Sequence, residues 1–308
     1  MQESFDPLID AKMIKQSLSR PKKDMNKLIN VVAHRSNEQR QLILNSFKRN
    51  YNKSLKENLK SELSGSFQKA VIALFYSPVD YDCYQINKAV KGFITDEDTL
   101  IEILATRSNN RLKEINDRYP KMYDGKNLIR VIKSETSGVF KNILVKLLKG
   151  ERSDNCHPDE AECKNLAILL NDAEVKKELT EDIYIKIFTE KSREEFILIT
   201  KYYYNLYKKN LLETIEHLFS GDVKKIFITI TYALLSPSEY FAYRINKAIN
   251  SFMTNDNMLI RVIVSRDEID IDRIKRYYKQ QFEKDLYSTI KEKINGDYRN
   301  LLIALIGK

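Results

Sequence analysis

The chain is poor in residues that interrupt regular structure. Eight glycines and six prolines in 308 residues leave little room for a turn-rich β fold. Three cysteines, Cys83, Cys156 and Cys163, cannot pair completely, which points to a reducing compartment. The longest apolar runs, such as Ile226 to Ile230 and Leu301 to Ile306, fall far short of the roughly 20 residues that span a bilayer. The N-terminus has no basic, apolar and cleavage regions of a secretory signal, so the expected location is the cytoplasm. Catalytic signatures are missing too: there is no Gly-rich phosphate cradle, nucleophile elbow or paired metal-histidine motif. The carboxylates read as helix starts and solvated faces, and the sequence argues against an enzyme. Cys156, His157 and Cys163 match no common zinc spacing and read as a polar linker, and His34 and His217 read as structural.

What the chain does have is a mostly helical composition, 43% hydrophobic and 31% charged with a net charge of +9, and a fourfold internal repeat. Arg35-Ser36, Arg107-Ser108, Lys191-Ser192 and Arg266-Asp267 step by 72, 84 and 75 residues. Ser64-Gly65, Ser137-Gly138, Ser220-Gly221 and Asn295-Gly296 step by 73, 83 and 75. Two markers that keep register within one residue define four units. The expected boundaries are a short tail over 1–6, repeats over 7–78, 79–150, 164–237 and 238–308, and a linker over 151–163.

The second unit can be read from punctuation and period. Thr95 is the expected N-cap, followed by acids that suit the positive end of a helix dipole. Leu100, Ile101, Ile103 and Leu104 supply an apolar face, and Ser108 starts the next helix, which Pro120 is expected to end or kink. Asp124-Gly125 marks a turn, Leu128 to Ile132 a short helix, and Ser137-Gly138 the break before a last one. With a helix around Cys83 to Val90, each unit has five helices. No unit buries its stripes alone, so neighbours must pack together.

These residues resemble the annexin family. Lys91-Gly92-Phe93-Ile94-Thr95-Asp96-Glu97 is similar to the family's Lys-Gly-x-Gly-Thr-Asp-Glu loop, and Leu259 to Asp270 to its fourth-repeat signature. Lys60-Ser61-Glu62-Leu63-Ser64-Gly65 and Gly296-Asp297-Tyr298 match as well, and the resemblance covers the chain from about Pro7 onward. The Lys/Asn-rich, glycine-poor composition is compatible with the divergent alpha-giardins of that family. The resemblance implies an all-α fold of four five-helix repeats in a right-handed superhelical, slightly curved disc. It also implies calcium-dependent binding to anionic phospholipid membranes, peripheral and through interhelical loops on one face. The short stretch before the first repeat leaves no room for the partner-recruiting tails of many annexins.

By the same resemblance, the second repeat holds Ca2+ with the carbonyls of Val90, Gly92 and Ile94 and the side chain of Glu135, and a secondary site uses the Thr95 carbonyl with Glu97. A hard cation accepts such oxygens, and a glycine lets the carbonyls curl inward. Ile94 stands where the family has a second glycine. The first repeat would use the carbonyls of Leu18, Arg20 and Lys22 with Glu62, in a turn that has no glycine and several positive charges. In the third repeat Leu218 occupies the acid's position, and in the fourth Lys293 does, so those sites read as lost.

The degenerate turns suggest assistance from charge and burial. Arg20, Lys22, Lys23, Lys176 and Lys177 would attract an anionic leaflet at on the order of 1 kcal/mol per cation. Phe93, Ile94, Phe252 and Met253 would enter the headgroup zone. The bland alternative folds Phe93 and Phe252 back onto the core. Rival readings are a structural link between membrane and cytoskeletal protein, or a calcium-independent binder of anionic polymers such as a sulfated glycan or RNA. Tyr202, Tyr203, Tyr204 and Tyr207 read as core and rim rather than as a base-stacking strip, which argues against nucleic acid.

Overall fold

The computed structural model describes residues 5–19, 21–176 and 180–307. Among them lie twenty α-helices and no strand, five helices to each repeat. Repeat 1 holds α1 (Pro7–Ser17), α2 (Met25–Ala33), α3 (Asn37–Tyr51), α4 (Leu55–Glu62) and α5 (Gly65–Leu74). Repeat 2 holds α6 (Pro78–Val90), α7 (Glu97–Thr106), α8 (Asn109–Met122), α9 (Leu128–Glu135) and α10 (Gly138–Lys149). Repeat 3 holds α11 (Glu160–Lys176), α12 (Thr180–Glu190), α13 (Arg193–Tyr207), α14 (Leu211–Leu218) and α15 (Gly221–Leu235). Repeat 4 holds α16 (Pro237–Ile249), α17 (Asp256–Arg266), α18 (Ile271–Phe282), α19 (Leu286–Lys293) and α20 (Gly296–Ile306). The helices gather into two compact units, one of residues 1–81 and 241–308, the other of residues 82–240.

Both sequence markers have local causes. The serine of the first caps the third helix of its repeat: Ser36, Ser108 and Ser192 accept from the backbone N–H groups of Gln39, Arg111 and Glu195. Gln39 and Glu195 reach back to complete capping boxes. The glycine of the second marker opens the fifth helix. Gly65, Gly138, Gly221 and Gly296 all have φ between +57° and +65°, where an L side chain is strained even though nothing lies within 4 Å to obstruct it.

The basic residue of the first marker ties the third helix back to the first. Arg35 donates to Asp10 at 2.6 Å, Arg107 to Asp82 at 2.8 Å, and Lys191 to Glu162 at 2.5 Å. Burial opposes the charge on Arg107, but Asp82 beside it holds its pKa above the ordinary value. Repeat 4 has Phe241 where the acid would be. Arg266 there lies over the Phe241 ring, 4.5 Å from its centroid, and pairs with Asp270 at 2.7 Å.

In unit 1 the buried Arg40 donates to the carbonyls of Val32 and Arg35 and to Glu268 Oε1 at 2.7 Å, joining repeats 1 and 4. In unit 2 the rings of Tyr184, Phe188, Phe196 and Phe227 stack edge and face in one cluster. Tyr203 is fully buried and bonds Glu174 and Thr214, while Tyr204 is exposed. Two local expectations shift. Pro120 sits in the last turn of α8, which continues two residues to Met122, where a missing N–H costs only one bond. The first helix of repeat 3 begins at Glu160, inside the segment read as a linker, and Cys163 is buried in it while Cys156 is exposed.

Candidate functional site

Three of the four turns between first and second helices close identically. The Asp24 N–H donates to the Ser17 carbonyl at 2.8 Å, Asp96 to Ala89 at 2.9 Å, and Asn255 to Ala248 at 2.8 Å. The same residue then caps the next helix: the side chains of Asp24, Asp96 and Asn255 accept from the backbone N–H of Lys27, Thr99 and Met258. The cap of α7 is therefore Asp96, one residue past the expected Thr95. A carboxylate there both bonds the orphan N–H and opposes the dipole's positive end. The turn of repeat 3 includes residues 177–179, outside the described residues. Lys177, Arg20 and the side chain of Lys176, all expected at a membrane, lie outside them as well.

The fourth helices are equally regular. α4, α9, α14 and α19 are each 8 residues long, and each ends on the position expected to carry the acid: Glu62, Glu135, Leu218 and Lys293. Leu218 is half-buried, and Lys293 is exposed with its nitrogen 3.7 Å from Glu292. Neither supplies an oxygen from its side chain. A carboxylate stands at this position only in repeats 1 and 2.

In repeat 2 the turn touches the end of the helix that carries the acid. Thr95 donates its hydroxyl to the Glu135 carbonyl at 3.5 Å, so the end of the turn lies against the end of α9. Within the turn, a Cβ on residue 92 would come within 3.0 Å of the Ile94 carbonyl oxygen. Glycine at 92 leaves that close approach of the Ile94 oxygen unobstructed. Val90 is buried at the base of the turn, Glu135 is exposed, and Glu97 is half-exposed as the first residue of α7. No three Asp, Glu, His or Cys side chains cluster among the described residues. The oxygens on offer are main-chain carbonyls plus one carboxylate, a donor set suited to a hard cation that keeps several positions for other ligands.

Repeat 1 uses the same frame to a different end. Lys23 is in register with Thr95, and its ammonium donates to the Glu62 carbonyl at 2.6 Å and forms an ion pair with Glu62 Oε2 at 2.8 Å. A cation carried by the chain thus sits on the acid expected to hold a metal. Lys23, expected to face a membrane, is half-buried against Glu62, while Lys22 is exposed and Leu18 is buried. The register contained the signal for this pairing, because residue 95 faces Glu135 and residue 23 must face Glu62 in the same way.

The tips of the turns in repeats 2 and 4 are apolar and bare. Phe93 and Ile94 are 107% and 81% exposed, and Phe252 and Met253, in register with them, are 105% and 78% exposed. The alternative in which both phenylalanines fold onto the core is overturned. Both tips project from turns closed at the base by Asp96 and Asn255.

Comparison with known proteins fits this geometry. The annexin family model matches residues 9–74, 81–147, 166–230 and 240–305, one segment in each five-helix repeat. Annexin A3 of Mus musculus is 35% identical over 305 residues, covering 99% of this chain and 94% of the relative. Annexin A11 of Oryctolagus cuniculus is 36% identical over 304 residues, 98% of this chain, and the chain spans 60% of that relative's length. Among solved structures, annexin III matches with a TM-score of 0.96 at 34% identity, covering 99% of this chain and 95% of that one. The calcium-bound alpha-14 giardin matches in fold alone, with a TM-score of 0.87 at 21% identity, 98% of this chain and all of that one. Four matched segments, each on a unit of five helices with the same caps and glycine breaks, establish that the chain belongs to the annexin family.

Proposed function

We propose that this protein docks on anionic phospholipid membranes in response to calcium, with repeat 2 as its principal metal site. Annexins are known for calcium-dependent phospholipid binding. The observation that supports the assignment to repeat 2 is the contact of Thr95 with the Glu135 carbonyl, together with the close approach of the Ile94 oxygen that Gly92 leaves unobstructed. The carbonyls of Val90, Gly92 and Ile94 and the carboxylate of Glu135 would hold the ion, and Thr95 and Glu97 a weaker second one. Bound Ca2+ supplies a positive charge with open positions for lipid phosphate oxygens. No helix among the described residues is long and apolar enough to cross a membrane, so engagement is through the surface.

Repeats 1 and 4 contribute by other means. Lys23 neutralises Glu62 without metal, so the first turn presents Lys22 with no calcium requirement. The apolar tips Phe93, Ile94, Phe252 and Met253 enter the headgroup zone once the calcium site has brought them there. The test is co-sedimentation with phosphatidylserine vesicles across a calcium titration for the parent and Glu135→Gln. The variant keeps its shape but loses the charged oxygen, and its titration is expected to move to at least tenfold higher calcium. An unchanged titration refutes Glu135 as the principal ligand.

A further inference from the structure

Unit 2 carries a cationic cavity that the calcium reading does not use. It has a volume of about 560 Å3 and lies between repeats 2 and 3, walled by α9, α10 and α12. Lys133 comes from α9, Lys141, Lys146 and Lys149 from α10, and Lys186 from α12. Against these five ammonium groups the lining has only Asp182 and Glu190. Lys146 is committed to Glu190, and Lys149 lies 4.0 Å from Glu151 in a loose exposed pair. Five lysines converging from three helices on one concavity, with a net charge of +3, repel one another unless an anion enters.

The spacing of the lysines selects the kind of anion. Lys141 and Lys149 are eight residues apart on α10, about 12 Å along the helix axis. A single phosphate reaches one end of such a row. Phosphates distributed over a ring or a short chain reach both ends and the lysines of the opposite helix. The volume is within the range of roughly 300–1,000 Å3 typical of small-molecule sites. Position also matters: Lys133 is two residues before Glu135 on α9, so one end of the cavity lies about 3 Å of axial rise from the end of the helix that bears the proposed calcium ligand.

We propose that this cavity is a binding site for clustered phosphates, of the chemistry of a polyphosphorylated inositol, offered either as a lipid headgroup or as a free solute. It is separate from the calcium site in its residues and needs no metal. Lysine ammonium groups act as mobile point charges that wrap a polyphosphate without a fixed geometry, so recognition depends on charge density and should weaken steeply with salt.

The test uses the full chain in chelator, which silences the calcium site. Titration calorimetry with inositol hexakisphosphate is expected to give one saturable site per chain. The double variant Lys141→Gln/Lys186→Gln is expected to weaken it at least tenfold, while Lys48→Gln/Lys279→Gln, on exposed lysines that do not line the cavity, leaves it unchanged. Glu135→Gln should retain the site in full, so failure here and failure of the calcium reading are read out separately. Vesicles containing phosphatidylinositol bisphosphate, compared with phosphatidylserine vesicles of equal charge, distinguish the sources. Selective binding in chelator, lost in Lys141→Gln/Lys186→Gln, assigns the lipid, and binding of the solute alone assigns the free polyphosphate. Absence of a saturable site, equal loss from the control lysines, or equal competition by a sulfated oligosaccharide of the same charge overturns the proposal.

Discussion

The exposed phenylalanines allow folding and membrane docking to be separated by a single substitution. Phe93 and Phe252 are 107% and 105% exposed, so replacing either by alanine removes no packing from the folded protein. Surface changes of this kind leave stability within about 0.5 kcal/mol. In a bilayer the same ring is withdrawn from water, and full burial of a phenylalanine is worth roughly 1.5–3 kcal/mol. Partial immersion in the headgroup zone leaves about 1–2 kcal/mol per ring, which is a loss of roughly 5- to 30-fold in affinity for each Phe→Ala change. The two tips belong to different repeats and are taken as independent, so the double variant is expected to lose about 2–4 kcal/mol. The assay is vesicle binding at fixed calcium, paired with a thermal melt. A melt unchanged with affinity reduced by one to three orders of magnitude fits the reasoning. Unchanged affinity shows that the tips stay in water, and a lowered melt shows that they pack on the fold. Because the chain has no tryptophan, Phe93→Trp adds a single tryptophan, excitable apart from the tyrosines, whose emission should shift to the blue when vesicles and calcium are both present.

Three further outcomes follow from particular contacts. Lys23→Thr removes the ammonium from Glu62 and gives repeat 1 the residue that repeat 2 carries at Thr95; calorimetry is expected to show calcium heat beyond the parent's, and an identical isotherm refutes Lys23 as the barrier. Asp267 is pushed up to about 6 by burial, with Arg40 pulling it down and Glu268 pushing it up. The folded chain then holds a proton that the unfolded chain releases near pH 4, so stability falls as pH rises from about 4 to 6. Asp267→Asn should therefore stabilise at pH 7 by on the order of 2 kcal/mol, with the gain gone by pH 4, as denaturant midpoints at the two pH values would show. Glu268→Ala leaves the Arg40 guanidinium with only the Val32 and Arg35 carbonyls as hydrogen-bond acceptors, and because Glu268 is 43% exposed the expected cost is about 1.5 kcal/mol in chemical denaturation; a loss below about 0.5 kcal/mol would refute the joining role.

The fourfold register, the helix starts at Ser36, Ser108 and Ser192 and the glycine breaks were legible in the linear chain because each depends on neighbours within one turn. A capping hydroxyl bonds an N–H three residues on, and a positive φ concerns one residue alone. Even the cap at Asp96 was missed by only one position, since Thr95 and Asp96 are both competent and the turn's closing bond to Ala89 decides between them. Contacts across dozens of residues were decided by packing. Arg35 and Arg107 find acids 25 residues upstream, and Lys23 finds Glu62 39 residues on. Which lysine is paired and which is exposed depends on the directions of helices, and composition alone does not carry those directions. The same holds for Phe93 and Phe252, whose aromatic character was plain in the sequence. Their exposure at the tips of closed turns was decided by tertiary structure, because burial is a property of the space around a side chain and not of its chemistry.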